Sequence, residues 1–449
     1  MFPDVGHPLL PRLKDHERAE LGVPQSCIAW PLTDPHSGGR DADQADELVK
    51  SVLSTNAIGS WDWPDRPVVF VSDLHADAEG FLRSLIASGA LTRDGKGLTG
   101  LELTAFGRSA LIIIGGDCLD KGPSNLDLLH AIKRVMDLGA EIRLLAGNHD
   151  LRLLLGVRAL VGERTPLNEH MFVRMGNKVL PLLREVFDLH VDPDLDLKTA
   201  PKIAECRNRI FPGAKWERHF RVAAADYLNE AAIEKELKRL RKKVRNFEEA
   251  AENAGLNMRQ LYVAAAKCQS LFLDPHGPYG WFYREMKALY QAGSLLFIHA
   301  GMDDAMAREL AETGAKGINR RFEQQSRENP FTFYSSSIGN LMRTKYRPVD
   351  KPLTAQGVRH LHDSGVKLLV HGHVNRAEGQ RLKSMQGLLH LEGDITLDRH
   401  SRKSEGLDGI GTGCTIIYPS GDIVGLSRDF PHAKVFNPAA HGAKGILQS

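Results

Sequence analysis

A chain of 449 residues exceeds the usual size of a single domain, and 42% hydrophobic residues suffice for a sizeable core, so one large domain with insertions or two domains are expected. The 58 basic and 56 acidic residues nearly cancel, which excludes a chain-wide nucleic-acid-binding surface and leaves only a local basic patch open. Cys27, Cys118, Cys206, Cys268 and Cys414 show no CxxC spacing, the N-terminus lacks an apolar run of signal-peptide length, and no stretch nears ~20 apolar residues, so a cytoplasmic protein without membrane spans, zinc ribbon or disulfide framework is expected.

Residues 1–66, rich in Pro, Asp and Gly, read as an N-terminal extension lying on a domain, with one short helix in ADQADELVKSVLS. From Pro67 the pattern changes. PVVFVS reads as a buried strand, ALIIIGG (110–116) as a second and EIRLLAG (141–147) as a third. Between the last two, SNLDLLHAIKRVMDLG places Leu128, Leu129, Ile132, Val135 and Met136 on one helical face, with Ser124 as N-cap and Gly139 at the end. Strand, helix, strand implies a parallel α/β sheet, whose chemistry gathers outside the carboxyl ends of the strands.

Residues 157–290 read as a helical insertion, a cap or an arm, that divides a catalytic domain of 67–156 and 291–430. Within it Ile233, Leu237, Leu240, Val244, Phe247, Ala251 and Ala254 form a heptad-like seam. The polar side of this 233–254 helix carries Lys235, Lys238, Arg239, Arg241, Lys242, Lys243 and Arg245, which either meet an anionic partner or keep an exposed helix soluble. Strands resume at SLLFIHAG (294–301) and VKLLVHGH (366–373); GLLHLEG and CTIIYPSGDIVGLS read as paired strands, and 431–449 as a loosely packed tail.

Each of five apolar runs ends in metal-ligand residue types: VSDLHAD, GGDCLD, AGNHD, FIHAG and VHGH. Burying unpaired charge at a core edge costs several kcal/mol or more, and divalent cations would offset that cost. Mixed imidazole and carboxylate ligands suit manganese, iron or zinc better than calcium.

The order DLHAD, GGDCLDKGP, GNHD, HAG, GH resembles the calcineurin-like metallophosphoesterases. LDKGP and GNHDLRLL are most similar to the phosphoprotein phosphatase branch: Ser/Thr protein phosphatases, Shewanella-like phosphatases and symmetric diadenosine tetraphosphate hydrolases. The resemblance spans about 67–156 and 294–427 and implies an α/β fold, a β-sandwich flanked by helices, here with a large α-helical insertion. It also implies two divalent metal ions, manganese first and iron or zinc as alternatives. Asp73 and His75 would hold one, Asp117 would bridge, and Asn148, His299 and His373 would hold the second. His371 is expected as a packed neighbour, and Asn375 stands where many superfamily members have a further histidine.

His149, paired with Asp120, would protonate the leaving oxygen while a metal-bridging hydroxide attacks phosphorus in line. Lys121, standing where the family usually has arginine, Arg152 and Arg343 are the candidate phosphate-binding residues, with Arg347 a further possibility. Ala76 replaces a common glycine, and Asp394, Asp398 and His400 read as a loop bordering the site. A Ser/Thr-type phosphoprotein phosphatase is the first expectation, a nucleotide or dinucleoside polyphosphate hydrolase the second. A third, of another class, is an RNA- or partner-binding protein acting through the basic helix.

Overall fold

Val68 and Phe70 leave their strand on one side, Val69 and Val71 on the other, and all four are buried. Leu111 and Ile113 alternate in the same way with Ile112 and Ile114. One set packs with Leu295, Phe297, Leu368, Val370, Leu389 and Leu391 of a second sheet, while the other set joins the core beneath the helices. This explains why the strands are apolar throughout: both faces are covered. Phe70 and Phe297 meet across the sandwich with ring centroids 6.0 Å apart.

This computed structural model describes residues 8–30, 42–348 and 350–438, with side chains described for all of these but 42–46. One sheet runs in the order Cys27–Ala29, Ala433–Phe436, Ile423–Ser427, Gly413–Ile417, Val68–Val71, Leu111–Ile114, Glu141–Leu145, Met286–Lys287. The other runs Arg381–Met385, Leu388–Glu392, Leu368–His371, Leu295–Ile298, Leu289–Ala292. Val68–Val71, Leu111–Ile114 and Glu141–Leu145 are parallel, as are Leu295–Ile298, Leu368–His371 and Leu388–Glu392. Their carboxyl ends therefore open on one edge of the sandwich. The result is an α/β fold, a two-sheet sandwich flanked by helices, as the resemblance implies.

Helix Asn125–Asp137 forms where its periodicity placed it, with Ser124 Oγ accepting the Asp127 amide at 3.1 Å. Three expectations need correction. Ala433–Phe436 is a sheet strand, so the tail is ordered there; residues 439–449 lie outside the described part. The extension contributes the edge strand Cys27–Ala29 as well as the expected helix, at Ala42–Ala57, whose Leu48 and Val52 are buried. Sheet structure also returns before residue 294, at Met286–Lys287 and Leu289–Ala292. Those strands are too short to show a period of their own.

Helix Glu230–Asn253 buries Ile233, Leu237, Leu240, Phe247 and Ala251 within the chain, so the seam is spent on helices of the insertion itself. Among the described residues no helix is long and apolar enough to cross a membrane. Inside the insertion His170 lies against Trp216 and Phe220, centroids 4.8 and 5.0 Å away. Burial pushes His170 down to about 3 although Glu236 opposes the shift, and burial likewise lowers His371 to about 4.

Unfolded histidine takes up a proton near 6.5, so both groups favour unfolding as the pH falls from about 6.5 towards 3. Each withdraws up to about 1.4 kcal/mol per pH unit across that window. Melting temperatures measured from pH 7 to pH 4 should fall steeply, and less steeply for His170→Phe. Parallel curves for the two proteins would refute the assignment.

Candidate metal centre and active site

The strand ends deliver Asp73, His75, Asp117, Asn148, His299 and His373 to one place, and the backbone is strained there. Asp73, His75, Ala76, Asp117, Asp120, Lys121 and His373 have φ between 40° and 74°, and they are seven of the ten described non-glycine residues with positive φ. Left-handed backbone costs an L-residue about 1–2 kcal/mol, and such strain concentrates at functional sites. Glycine is required where the loops touch. A Cβ on Gly147 would lie 2.0 Å from the Asp117 nitrogen, and one on Gly372 would lie 2.2 Å from Asp73 Oδ2.

Asp117 stands between two donor groups. Its Oδ1 is 3.5 Å from His299 Nε2, while Oδ2 is 3.8 Å from His75 Nε2 and 3.9 Å from His149 Nε2. Donor atoms of His75, Asp117 and His149 lie within 4.8 Å of one another, as do those of Asp117, His299 and His373. Asp73 Oδ2 accepts from Ser72 Oγ at 2.5 Å and the His373 amide at 2.9 Å, and Oδ1 is 3.9 Å from His75 Nε2. Asn148 opens the helix Asn148–Val161 beside them.

These residues fit divalent cations. The Nδ1 of His299 donates to the Gly115 carbonyl at 2.8 Å and that of His75 to the Leu119 carbonyl at 3.1 Å, so each ring is held with Nε2 facing inward, where its lone pair serves a cation that displaces any proton there. Nε2 of His299 and of His373 are buried without a hydrogen-bond partner among the described residues. Burial opposes charge on Asp117 and on His299, yet their mutual attraction wins: Asp117 is held well below the carboxylate range and His299 is raised to about 10. Burial alone leads for His75 and His373, which are pushed well below the usual imidazole value. Lys121 places its ammonium 2.6 Å from His75 Nε2 and 3.2 Å from Ser401 Oγ, a positive group against the same donor atom.

His149 Nδ1 meets Asp120 Oδ2 at 2.7 Å, and Asn125 Oδ1 holds the Asp120 amide at 2.8 Å. Burial lowers the His149 imidazole below its usual value, against the pull of Asp117 and Asp120, while the carboxylate on Nδ1 fixes the ring so that a proton on Nε2 faces the site and a leaving oxygen. His371 lies elsewhere, between the Gly372 carbonyl (3.0 Å) and His390 (3.3 Å), and Asn375 is exposed with its amide 3.3 Å from Glu405. Among the described residues, His371 joins neither group of donor atoms.

Residues 66–197 match the family model of the calcineurin-like phosphoesterases. The matched segment carries Asp73, His75, Asp117, Asn148 and His149, and the match supports a metal-dependent phosphoesterase. No curated protein sequence matches it. Among solved structures, the chain is similar to a cold-active protein-tyrosine phosphatase of a psychrophilic Shewanella species, at 13% identity over 82% of this chain and 80% of that one, with a TM-score of 0.45. A protein serine/threonine phosphatase from Saccharomyces cerevisiae gives 10% identity over 84% and 83%, with a TM-score of 0.35. Both likenesses are distant.

Beside the candidate metal centre the protein has a cleft of about 420 Å³, bordered by Asn148, His373 and Arg152. Arg152 Nη1 lies 3.3 Å from His149 Nε2. The insertion supplies Arg174, Lys235 and Arg239 to this cleft, and the segment after residue 330 supplies Tyr334, Arg343 and Lys345. Guanidinium groups of Arg174 and Arg343 sit 4.2 and 4.5 Å from the centre of the Tyr334 ring. Burial raises the Tyr334 phenol, but Arg174, Arg343 and Arg152 pull it down to about 7, a measure of the positive field in the cleft. Arg347, also on the cleft wall, is exposed and faces Asp350 at 3.4 Å. A larger recess of about 880 Å³, near Arg158 and Asp274, contains none of the metal-donor residues.

Asp394 and Asp398 are buried and Asp398 caps the helix Arg399–Ser404, so the loop borders the site through Ser401, while His400 is exposed. Sequence reasoning passed over Asp150, whose buried carboxylate accepts the amides of Asp117, Cys118, Leu119 and Gly147. The acidic last letter of the GNHD motif was the available signal. Tyr334 and Arg174 were also missed, because nothing local links the insertion or the segment after residue 330 to the strand ends.

Proposed function

We propose that this phosphoesterase removes phosphate from serine and threonine side chains of proteins. The His149–Asp120 contact at 2.7 Å beside Asp117 carries the reading. An alkoxide leaves poorly without a proton, whereas the group expelled from a phosphoanhydride needs none, so a built proton donor supports an ester of an alcohol. Asp73, His75 and Asp117 would hold one cation, and Asp117, Asn148, His299 and His373 the other. Manganese is the favoured ion, with iron or zinc as alternatives. When bound, the pair supplies positive charge for the phosphoryl oxygens and acidifies a water. Arg152 and Arg343 would orient the phosphate from the cleft side, and Lys121 would offset charge from the His75 side.

The basic cleft also favours a second reading, a dinucleoside polyphosphate hydrolase. With manganese present, a phosphoserine peptide and diadenosine tetraphosphate should compete, and the peptide should turn over faster. His149→Ala should slow the peptide by roughly 10²–10⁴-fold and p-nitrophenyl phosphate much less, since nitrophenolate leaves unaided. A large preference for the dinucleotide, or equal losses on both esters, would overturn the first reading.

A further inference from the structure

We infer that the basic cleft beside the metal centre recognises acidic residues flanking the phosphorylated side chain, so that the preferred substrate is an acidic phosphorylated segment. The inference rests on the phosphoprotein reading above. Eight basic side chains line the cleft against two acidic ones. Both acids are engaged, Glu236 with Arg174 and Asp350 with Arg347. The excess positive charge therefore faces whatever enters. Since Asn148 and His373 line the same cleft, a phosphate held by the metal ligands brings its neighbouring groups directly against that charge.

The basic helix of the insertion divides its cations between two uses. Arg241 is paired with Glu217 at 2.5 Å, and Lys243 is turned inward, bonded to the Arg174 carbonyl. Lys235 and Arg239, four residues apart on one helical face, are exposed on the cleft, and Lys345 from the segment after residue 330 is exposed there too. Donors on long exposed side chains at an open rim attract and orient an extended acidic chain, whereas a compact polyphosphate would be expected to find buried donors. Arg343 adds a planar fork: stacking on Tyr334 fixes the guanidinium face and leaves its N–H edge free, with no carboxylate partner among the described residues. Tyr334, itself drawn towards ionisation, reports the same field.

The test compares phosphoserine peptides that differ only in flanking residues, glutamates in one and lysines in the other. Each kcat/KM is taken relative to the same preparation's turnover of p-nitrophenyl phosphate. For the unaltered enzyme the acidic peptide should be preferred by about tenfold or more, with a KM that rises with salt. Lys235→Glu with Arg239→Glu should erase or reverse the preference, and Lys235→Gln with Arg239→Gln should reduce it. Hydrolysis of both peptides at equal rates, or a preference unmoved by charge reversal, overturns the inference and leaves the phosphoprotein reading standing. Hydrolysis of diadenosine tetraphosphate but of neither peptide overturns that reading, and the inference with it.

Discussion

Asp117→Asn should reduce turnover of an aryl phosphate by roughly a thousandfold, because stabilisation by a pair of metal ions is worth several kcal/mol and each 1.36 kcal/mol is tenfold in rate. The structure also says which side of the site should fail first. Asp117 Oδ1 accepts the His149 backbone amide at 2.8 Å, at the start of the helix Asn148–Val161. An asparagine will keep its oxygen on that donor, so its NH₂ must occupy the Oδ2 position facing His75 and His149. An amide nitrogen there binds no cation. Metal analysis should accordingly show a fall from two ions per chain towards one, with His299 and His373 retaining the survivor. Undiminished turnover together with two bound metals would contradict the placement of Asp117 between the two groups.

How much of this was legible beforehand depends on whether a residue's role is fixed by its neighbours in the chain. Asp73, Asp117, Asn148, His299 and His373 could be picked out because each follows an apolar run, and parallel strands bring such ends together whatever the loops do. The helix Asn125–Asp137 was readable for the same local reason. The basic run of Glu230–Asn253 was not. Its sequence is the same whether the helix stands in solvent or walls a cleft, and only the packing of Ile233, Leu237 and Phe247 turns Lys235 and Arg239 towards the metal centre. Lys121 shows a further limit. The motif places it at a phosphate clamp, but its left-handed backbone, φ 74°, accompanies an ammonium set against His75 and Ser401.

Asp150→Ala should destabilise the protein by about 4 kcal/mol or more and cut activity with it, although Asp150 touches neither donor group through its side chain. Oδ2 accepts the amides of Asp117 (2.9 Å) and Gly147 (3.0 Å), and Oδ1 accepts those of Cys118 (2.9 Å) and Leu119 (3.1 Å). One fully buried carboxylate thus ties the strained loop that carries Asp117 and Asp120 to the turn that carries Asn148 and His149. Four buried N–H groups left without an acceptor cost about 1–3 kcal/mol each, less whatever water recovers. Burial and the Asp117 charge raise the Asp150 carboxyl to about 7, against the pull of the Leu119 and Gly147 amides. Asp150→Asn keeps one oxygen and offers an NH₂ to amides that need acceptors, so it should fall between wild type and alanine. Because Asp150 acts by holding the two loops in register, its loss should weaken metal affinity and lower kcat on peptide and aryl phosphate alike, unlike loss of His149. Melting curves, metal titrations and both substrates measured on the two variants separate the roles. An alanine variant with native melting temperature and metal affinity would show that the loops hold their register without it.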